Sequence, residues 1–92
     1  VTETGLTKKI RTALERRGCK VYKYHGGAFS AVGFPDLIVI RPDGITAFVE
    51  IKLPGKKPTK IQYATIDRIG RQGAPAGWAD SVKKAMEIVW PN

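Results

Sequence analysis

Asp36, Glu50 and Lys52 are the residues here whose types and spacing could do chemistry, and all three fall within 17 residues. Glu50 and Lys52 are two apart, so in a strand both side chains point to one face. If Asp36–Ile40 and Ile45–Leu53 form a hairpin in which paired positions sum to about 86, Asp36 lies opposite Glu50. Two directly opposed carboxylates repel one another. A hard divalent cation such as Mg²⁺ removes the repulsion, because it takes one or two carboxylates and keeps several waters. Such an ion can polarise a phosphodiester and lower the pKa of a water. Lys52 would then orient that water or neutralise charge developing on phosphoryl oxygens. The chemistry indicated is phosphodiester hydrolysis. By itself Glu-x-Lys is better explained by a surface ion pair, and Asp36 by a turn after Pro35, since the tripeptide is common by chance. The apolar strands around them and the order of the elements favour a site.

Those strands carry the positioning. Leu37, Val39, Ile45, Ala47, Val49 and Ile51 alternate onto one face of the hairpin, and Ile38, Ile40 and Phe48 onto the other. Arg41-Pro42-Asp43-Gly44 between them suits a type I-like turn. A strand pair apolar on both faces belongs in the middle of a sheet covered on both sides, or on one side by a partner subunit. Upstream, residues 3–17 read as a helix with Leu6, Ile10, Ala13 and Leu14 on one stripe, Thr2 as N-cap and Gly18 as stop. Residues 19–25 read as a strand, and 26–33 as a Gly-rich loop. Downstream, Thr59 starts a helix to about Arg71, Trp78 and Ala79 suit a short strand, and Asp80 or Ser81 caps a last helix carrying Val82, Ala85, Met86 and Val89. The expected fold is α/β, in the order α-β-β-β-α-β-α, with a mixed sheet and flanking helices.

The whole chain has 92 residues, which predicts a single domain over 1–92 and excludes a barrel enzyme or two-lobed architecture. Sixteen Lys and Arg against eight Asp and Glu leave a net charge of +8, which favours a polyanionic partner, nucleic acid first. Charge alone also leaves an anionic membrane surface open. Cys19 is the one cysteine, so no intrachain disulfide forms, and no Cys/His cluster suggests zinc. No apolar run approaches the roughly 20 residues that span a bilayer. No signal-peptide pattern opens the chain, so a cytoplasmic protein is expected.

Gly33-Phe34-Pro35-Asp36, a hydrophobic strand, a turn and Val49-Glu50-Ile51-Lys52 together resemble the PD-(D/E)xK nuclease superfamily. Glu50-Ile51-Lys52, then a Gly/Lys loop and Thr59-x-x-Gln62, resemble more narrowly the VRR-NUC group, the virus-type replication-repair nucleases. The resemblance runs from Glu3 through the Trp78-Ala79-Asp80 segment, and stand-alone phage and bacterial members match in length. That group is similar to Holliday junction resolvases. The resemblance implies a restriction-endonuclease-like core and a Mg²⁺- or Mn²⁺-dependent endonuclease acting on DNA, with branched or four-way junction DNA favoured. It implies Asp36 and Glu50 as metal ligands, the Ile51 backbone carbonyl as a further ligand, Lys52 as the catalytic lysine, and products with a 5′-phosphate and a 3′-hydroxyl. The expected host is a bacterial or phage-infected cell, and a homodimer with two equivalent sites suits a symmetric junction.

Glu3 matches the acidic residue that such proteins carry near the start of the first helix. Its rival role is a favourable charge at a helix N-terminus. Gln62 matches the glutamine that follows the Glu-x-Lys strand, and Thr59-x-x-Gln62 is equally a capping box. Lys56, Lys57 and Lys60 lie just past the active strand and are expected to contact phosphates. Lys8 and Arg11 on the first helix, and backbone at Gly26 and Gly27, are further candidates for nucleic-acid contact. Phe29 could stack at a branch point or simply pack. His25 is expected to be structural, and Trp78 and Trp90 to lie in the core or an interface. Two rivals stand beside the nuclease: a non-catalytic nucleic-acid-binding module, and a subunit active only within a larger repair or replication assembly. A sequence-specific, restriction-type nuclease ranks lower, because no recognition helix is evident.

Overall fold

A computed structural model describes residues 1–26 and 32–91. Helix α1 spans Glu3–Arg16, strand β1 Lys20–Lys23, β2 Leu37–Ile40, β3 Thr46–Ile51, helix α2 Lys60–Arg71, β4 Ala76–Ala79 and α3 Val82–Val89. The expected element order is met. Strands β1, β2, β3 and β4 lie side by side in that order. The first two pairings are antiparallel and β3 with β4 is parallel. The β2–β3 hairpin is therefore central. The parallel pair needs a crossover, and α2 supplies it.

The hairpin register is the one that the sequence predicts, with Leu37 opposite Val49, Ile38 opposite Phe48 and Ile40 opposite Thr46. Its turn is closed by the Gly44 N–H donating to the Arg41 carbonyl at 2.9 Å and the Arg41 N–H donating to the Ile45 carbonyl at 2.9 Å. Gly44 has φ +88°, so the connection is a three-residue loop with a left-handed glycine at its end. This geometry corrects one expectation. Ile45 belongs to the loop-closing pair and is 43% exposed, so it does not join the core face.

Leu37, Val39, Ala47, Val49 and Ile51 are buried on one face of the sheet. Helix α1 lays Leu6, Ile10 and Leu14 on that face, and α3 adds Ala85 and Val89. Both helices are capped as their sequences require: the Thr2 hydroxyl accepts the Gly5 N–H at 3.0 Å and the Ser81 hydroxyl the Lys84 N–H at 3.2 Å. Gly18 turns the chain from α1 into β1 at φ +89°, and a Cβ there would stand 2.8 Å from Pro42 Cγ. The opposite face, with Ile38, Ile40 and Phe48, is only half-buried. Phe34 covers part of it, its ring centroid 5.7 Å from Phe48 and 4.5 Å from Tyr24. Helix α2 lies on this second face and buries none of its side chains fully.

Strand ends fall short of the sequence reading. β1 ends at Lys23 rather than His25, and β3 at Ile51 rather than Leu53. Asp36 sits in the bend just before β2. Ladders stop where hydrogen-bond partners stop, which side-chain alternation does not reveal.

Candidate metal centre

Asp36 is anchored through both its backbone and its side chain. Its carbonyl accepts the Tyr24 N–H at 2.8 Å, and its Oδ2 accepts the Ile51 N–H at 2.9 Å. The second bond follows from register, because Asp36 lies one position past the Leu37–Val49 pair, where β2 has ended but β3 continues. It also orients the Ile51 peptide. In an extended strand a residue's N–H and C=O leave on the same edge, so the Ile51 carbonyl leaves on the side of Asp36.

Glu50 is 3% exposed and is the one buried charged residue among the described residues. Its Oε2 accepts a hydrogen bond from Gln62 Nε2 at 3.2 Å and faces Lys52 Nζ at 3.6 Å. Its Oε1 is buried with no partner among the described residues. Burial, and then the charge of Asp36, push the Glu50 carboxyl up to about 7, against the pull of Lys52. Lys52 is held at the strand end by its N–H donating to the Ala79 carbonyl at 3.0 Å.

This donor set fits a hard divalent cation. Two carboxylates approach each other in a buried place, one oxygen of Glu50 is orphaned, and one oxygen of Asp36 is not engaged by Ile51. Cations of this kind prefer oxygen ligands. No three His, Cys, Asp or Glu side chains converge on one point among the described residues. Glu3, exposed in the first turn of α1, therefore does not join Asp36 and Glu50 here. The start of α1 does lie at this end of the molecule, since Thr2 and Pro54 line the same hollow.

Gln62 sits where the capping box places it and also faces the site. It completes the capping box with Thr59, and its remaining amide nitrogen reaches Glu50. Lys56 and Lys57 are exposed on the connection from Lys52 to α2, and Lys60 is exposed as the first residue of α2. Lys8 and Arg11 line a groove between α1 and β1 with a volume of about 360 Å³. Arg11 Nη2 donates to the Val21 carbonyl at 3.2 Å, which fixes its guanidinium over the sheet edge. Gly26 and His25 are exposed at the end of β1, whereas Gly27 and Phe29 lie outside the described residues. Trp78 and Trp90 are half-buried, with Lys84 Nζ 3.7 Å from the Trp78 ring and Arg17 4.6 Å from that of Trp90. Sequence reasoning missed Lys23, which lines the groove with Lys8 and Arg11. The antiparallel course of α1 and β1 was the available signal. It also missed the Ile51 N–H, which the register could have supplied.

A family model, the VRR-NUC domain, matches residues 6–83. The chain belongs to the VRR-NUC family. It is thereby a member of a nuclease family. "Putative nuclease p44" of Acyrthosiphon pisum secondary endosymbiont phage 1 is 32% identical over 75 residues, covering 78% of each chain. A solved structure described as a VRR_NUC domain superposes with a TM-score of 0.79 at 31% identity, over 95% of this chain and 92% of that one. A second, described as a VRR_NUC domain protein, is similar in fold, with a TM-score of 0.76 at 19% identity over 97% of this chain and 85% of that one. The restriction-endonuclease-like α/β fold expected from the sequence agrees with these neighbours.

Proposed function

We propose that this VRR-NUC chain is a Mg²⁺- or Mn²⁺-dependent endonuclease that hydrolyses DNA, with branched or four-way junction DNA as the favoured substrate and a homodimer as the working form. The observation that carries the reading is the buried Glu50, its Oε1 orphaned, beside Asp36 and 3.6 Å from Lys52. A buried carboxylate oxygen with no donor is unfavourable unless it meets a cation. Asp36, Glu50 and the Ile51 carbonyl would hold the ion, with Glu3 outside that set. When bound, the ion supplies Lewis acidity to the phosphodiester.

The chain's own residues do the rest. Gln62 donates to Glu50 Oε2 and so leaves Oε1 as the oxygen without a protein partner. Lys52 offers an ammonium on the same face as Glu50, where it orients the attacking water and neutralises charge on the phosphoryl oxygens. The water oxygen bonds to phosphorus and the bond from phosphorus to the 3′-oxygen breaks. One product then carries a 5′-phosphate, and the 3′-oxygen takes up a proton. Lys56, Lys57 and Lys60 follow the active strand and Lys8 and Arg11 line the α1–β1 groove, and both sets would hold the sugar–phosphate backbone without reading its bases. The half-covered sheet face of Tyr22, Ile38 and Ile40 supports a second copy. A cytoplasmic location, in a bacterial or phage-infected cell, accords with such a substrate.

Purified protein incubated with a labelled four-way junction tests the activity. Cleavage with Mg²⁺ or Mn²⁺ that stops in EDTA, and falls about 10²–10⁴-fold in Lys52→Ala, is the expected result. Cleavage that persists unchanged in Lys52→Ala would falsify the assigned role of the lysine.

A further inference from the structure

Gln62 is held from two directions. Its Oε1 accepts the backbone N–H of Thr59 at 2.9 Å, while its own backbone N–H donates to the Thr59 hydroxyl at 3.2 Å. The first contact has a consequence beyond helix capping. A side-chain amide has one acceptor end and one donor end. With Oε1 committed to the Thr59 N–H, Nε2 is the end left to face Glu50, and it lies 3.2 Å from Oε2. Turning the amide over would set Oε1 against a carboxylate and Nε2 against an N–H donor, and both contacts would become repulsive.

We propose that Thr59 is a positioning residue of the nuclease site, acting through its backbone N–H to present Gln62 as a hydrogen-bond donor to Glu50. The capping box thus serves as the fixed mount of a residue that touches the metal ligand. This rests on the nuclease reading above. Glu50 Oε2, so engaged by Gln62 and Lys52, leaves the buried Oε1 as the oxygen free for a cation. Without the Thr59 N–H, Gln62 can rotate and Glu50 can leave that orientation.

The helix-capping and positioning roles separate by substitution. Thr59→Ala removes the hydroxyl and keeps the N–H. Thr59→Pro removes both, and the Thr59 φ of −71° already matches proline. Thr59→Ala loses the hydroxyl half of the capping box and Thr59→Pro both halves, so turnover is compared at a temperature well below both melts. Turnover of junction DNA should fall about tenfold more in Thr59→Pro than in Thr59→Ala, the size of one charge-assisted hydrogen bond, with KM for DNA unchanged. Thr59→Ser should behave as wild type. If Thr59→Pro does not fold, a synthetic chain with an ester in place of the Thr59 amide deletes the N–H alone and is held to the same expectation. Side-chain amide NMR of Gln62 gives a readout that needs no catalysis. Its Nε2 protons should exchange slowly in wild type and Thr59→Ala, and quickly in the proline or ester form. Equal kcat and equal exchange in the two variants would overturn the proposal. A wild-type protein that cuts nothing with either metal would instead overturn the nuclease reading, while the NMR result still decides whether Thr59 mounts Gln62.

Discussion

Glu50 is kept where its charge is unfavourable, and its neighbours explain how. Burial and the Asp36 charge raise its carboxyl to about 7 from an ordinary value of 4.5, with Lys52 pulling the other way. Between those two values the folded chain holds a proton that the unfolded chain has released. Stability without a cation should therefore fall as pH rises from about 4.5 to 7, by on the order of 3 kcal/mol in total. Mg²⁺ should raise the melting temperature more at pH 8 than at pH 5, and thermal melts in EDTA and in Mg²⁺ at the two pH values check this. Asp36→Asn keeps an oxygen to accept the Ile51 N–H but removes the charge beside Glu50. It should stabilise the cation-free protein by about 1 kcal/mol while abolishing cleavage. Asp36, Glu50 and Lys52 were legible from residue type and a spacing of two. The orphaned Oε1 and the Ile51 anchor were not, because they depend on where side-chain atoms come to rest.

At the scale of the elements, the hairpin was the most legible part. Its alternation and its Arg41–Gly44 turn fixed a register that the structure reproduces, and this register is what brings Asp36 to Glu50. Ile45 was misplaced because alternation continues past the point where the ladder ends. The Thr59–Gln62 capping box was readable from sequence, but its reach to Glu50 was not, since the crossover that packs α2 against β4 leaves no local signature. The stability of the scaffold lies on the opposite face. Ile10 is fully buried against the sheet, so Ile10→Ala should cost about 2–5 kcal/mol in chemical denaturation. Gly18→Ala should cost about 1–2 kcal/mol in the same measurement, because its φ is left-handed and the added Cβ would meet the rigid Pro42 ring.

Across the whole molecule, a net charge of +8 coexists with one acidic pair, Asp36 and Glu50. Basic side chains are exposed after Lys52, at Lys56, Lys57 and Lys60, and line the α1–β1 groove, at Lys8, Arg11 and Lys23. Lys8→Ala and Lys23→Ala should each lower the salt dependence of DNA binding by about 0.9 in the log–log slope, one phosphate apiece, as fluorescence anisotropy can measure. The parallel pairing of β4 was not legible, because Ala76–Ala79 is short and has no alternation to assign a partner. The uneven cover of the sheet was only half-foreseen: the reading that both faces are covered, or one by a partner subunit, left the choice open. Tyr22, 56% exposed on the barer face, offers the test. Tyr22→Glu should shift the mass in light scattering from dimer to monomer without unfolding the chain.

Asp36 and Glu50 are proposed to hold a cation that makes the chain cut DNA. The most direct measurement is cleavage of a labelled four-way junction by wild type and by Glu50→Gln, each confirmed folded, in Mg²⁺, Mn²⁺ and EDTA. Wild type should cut with a divalent metal and not in EDTA, and Glu50→Gln should not cut in any of the three. Cleavage in EDTA, or cleavage by Glu50→Gln at the wild-type rate, would contradict the account.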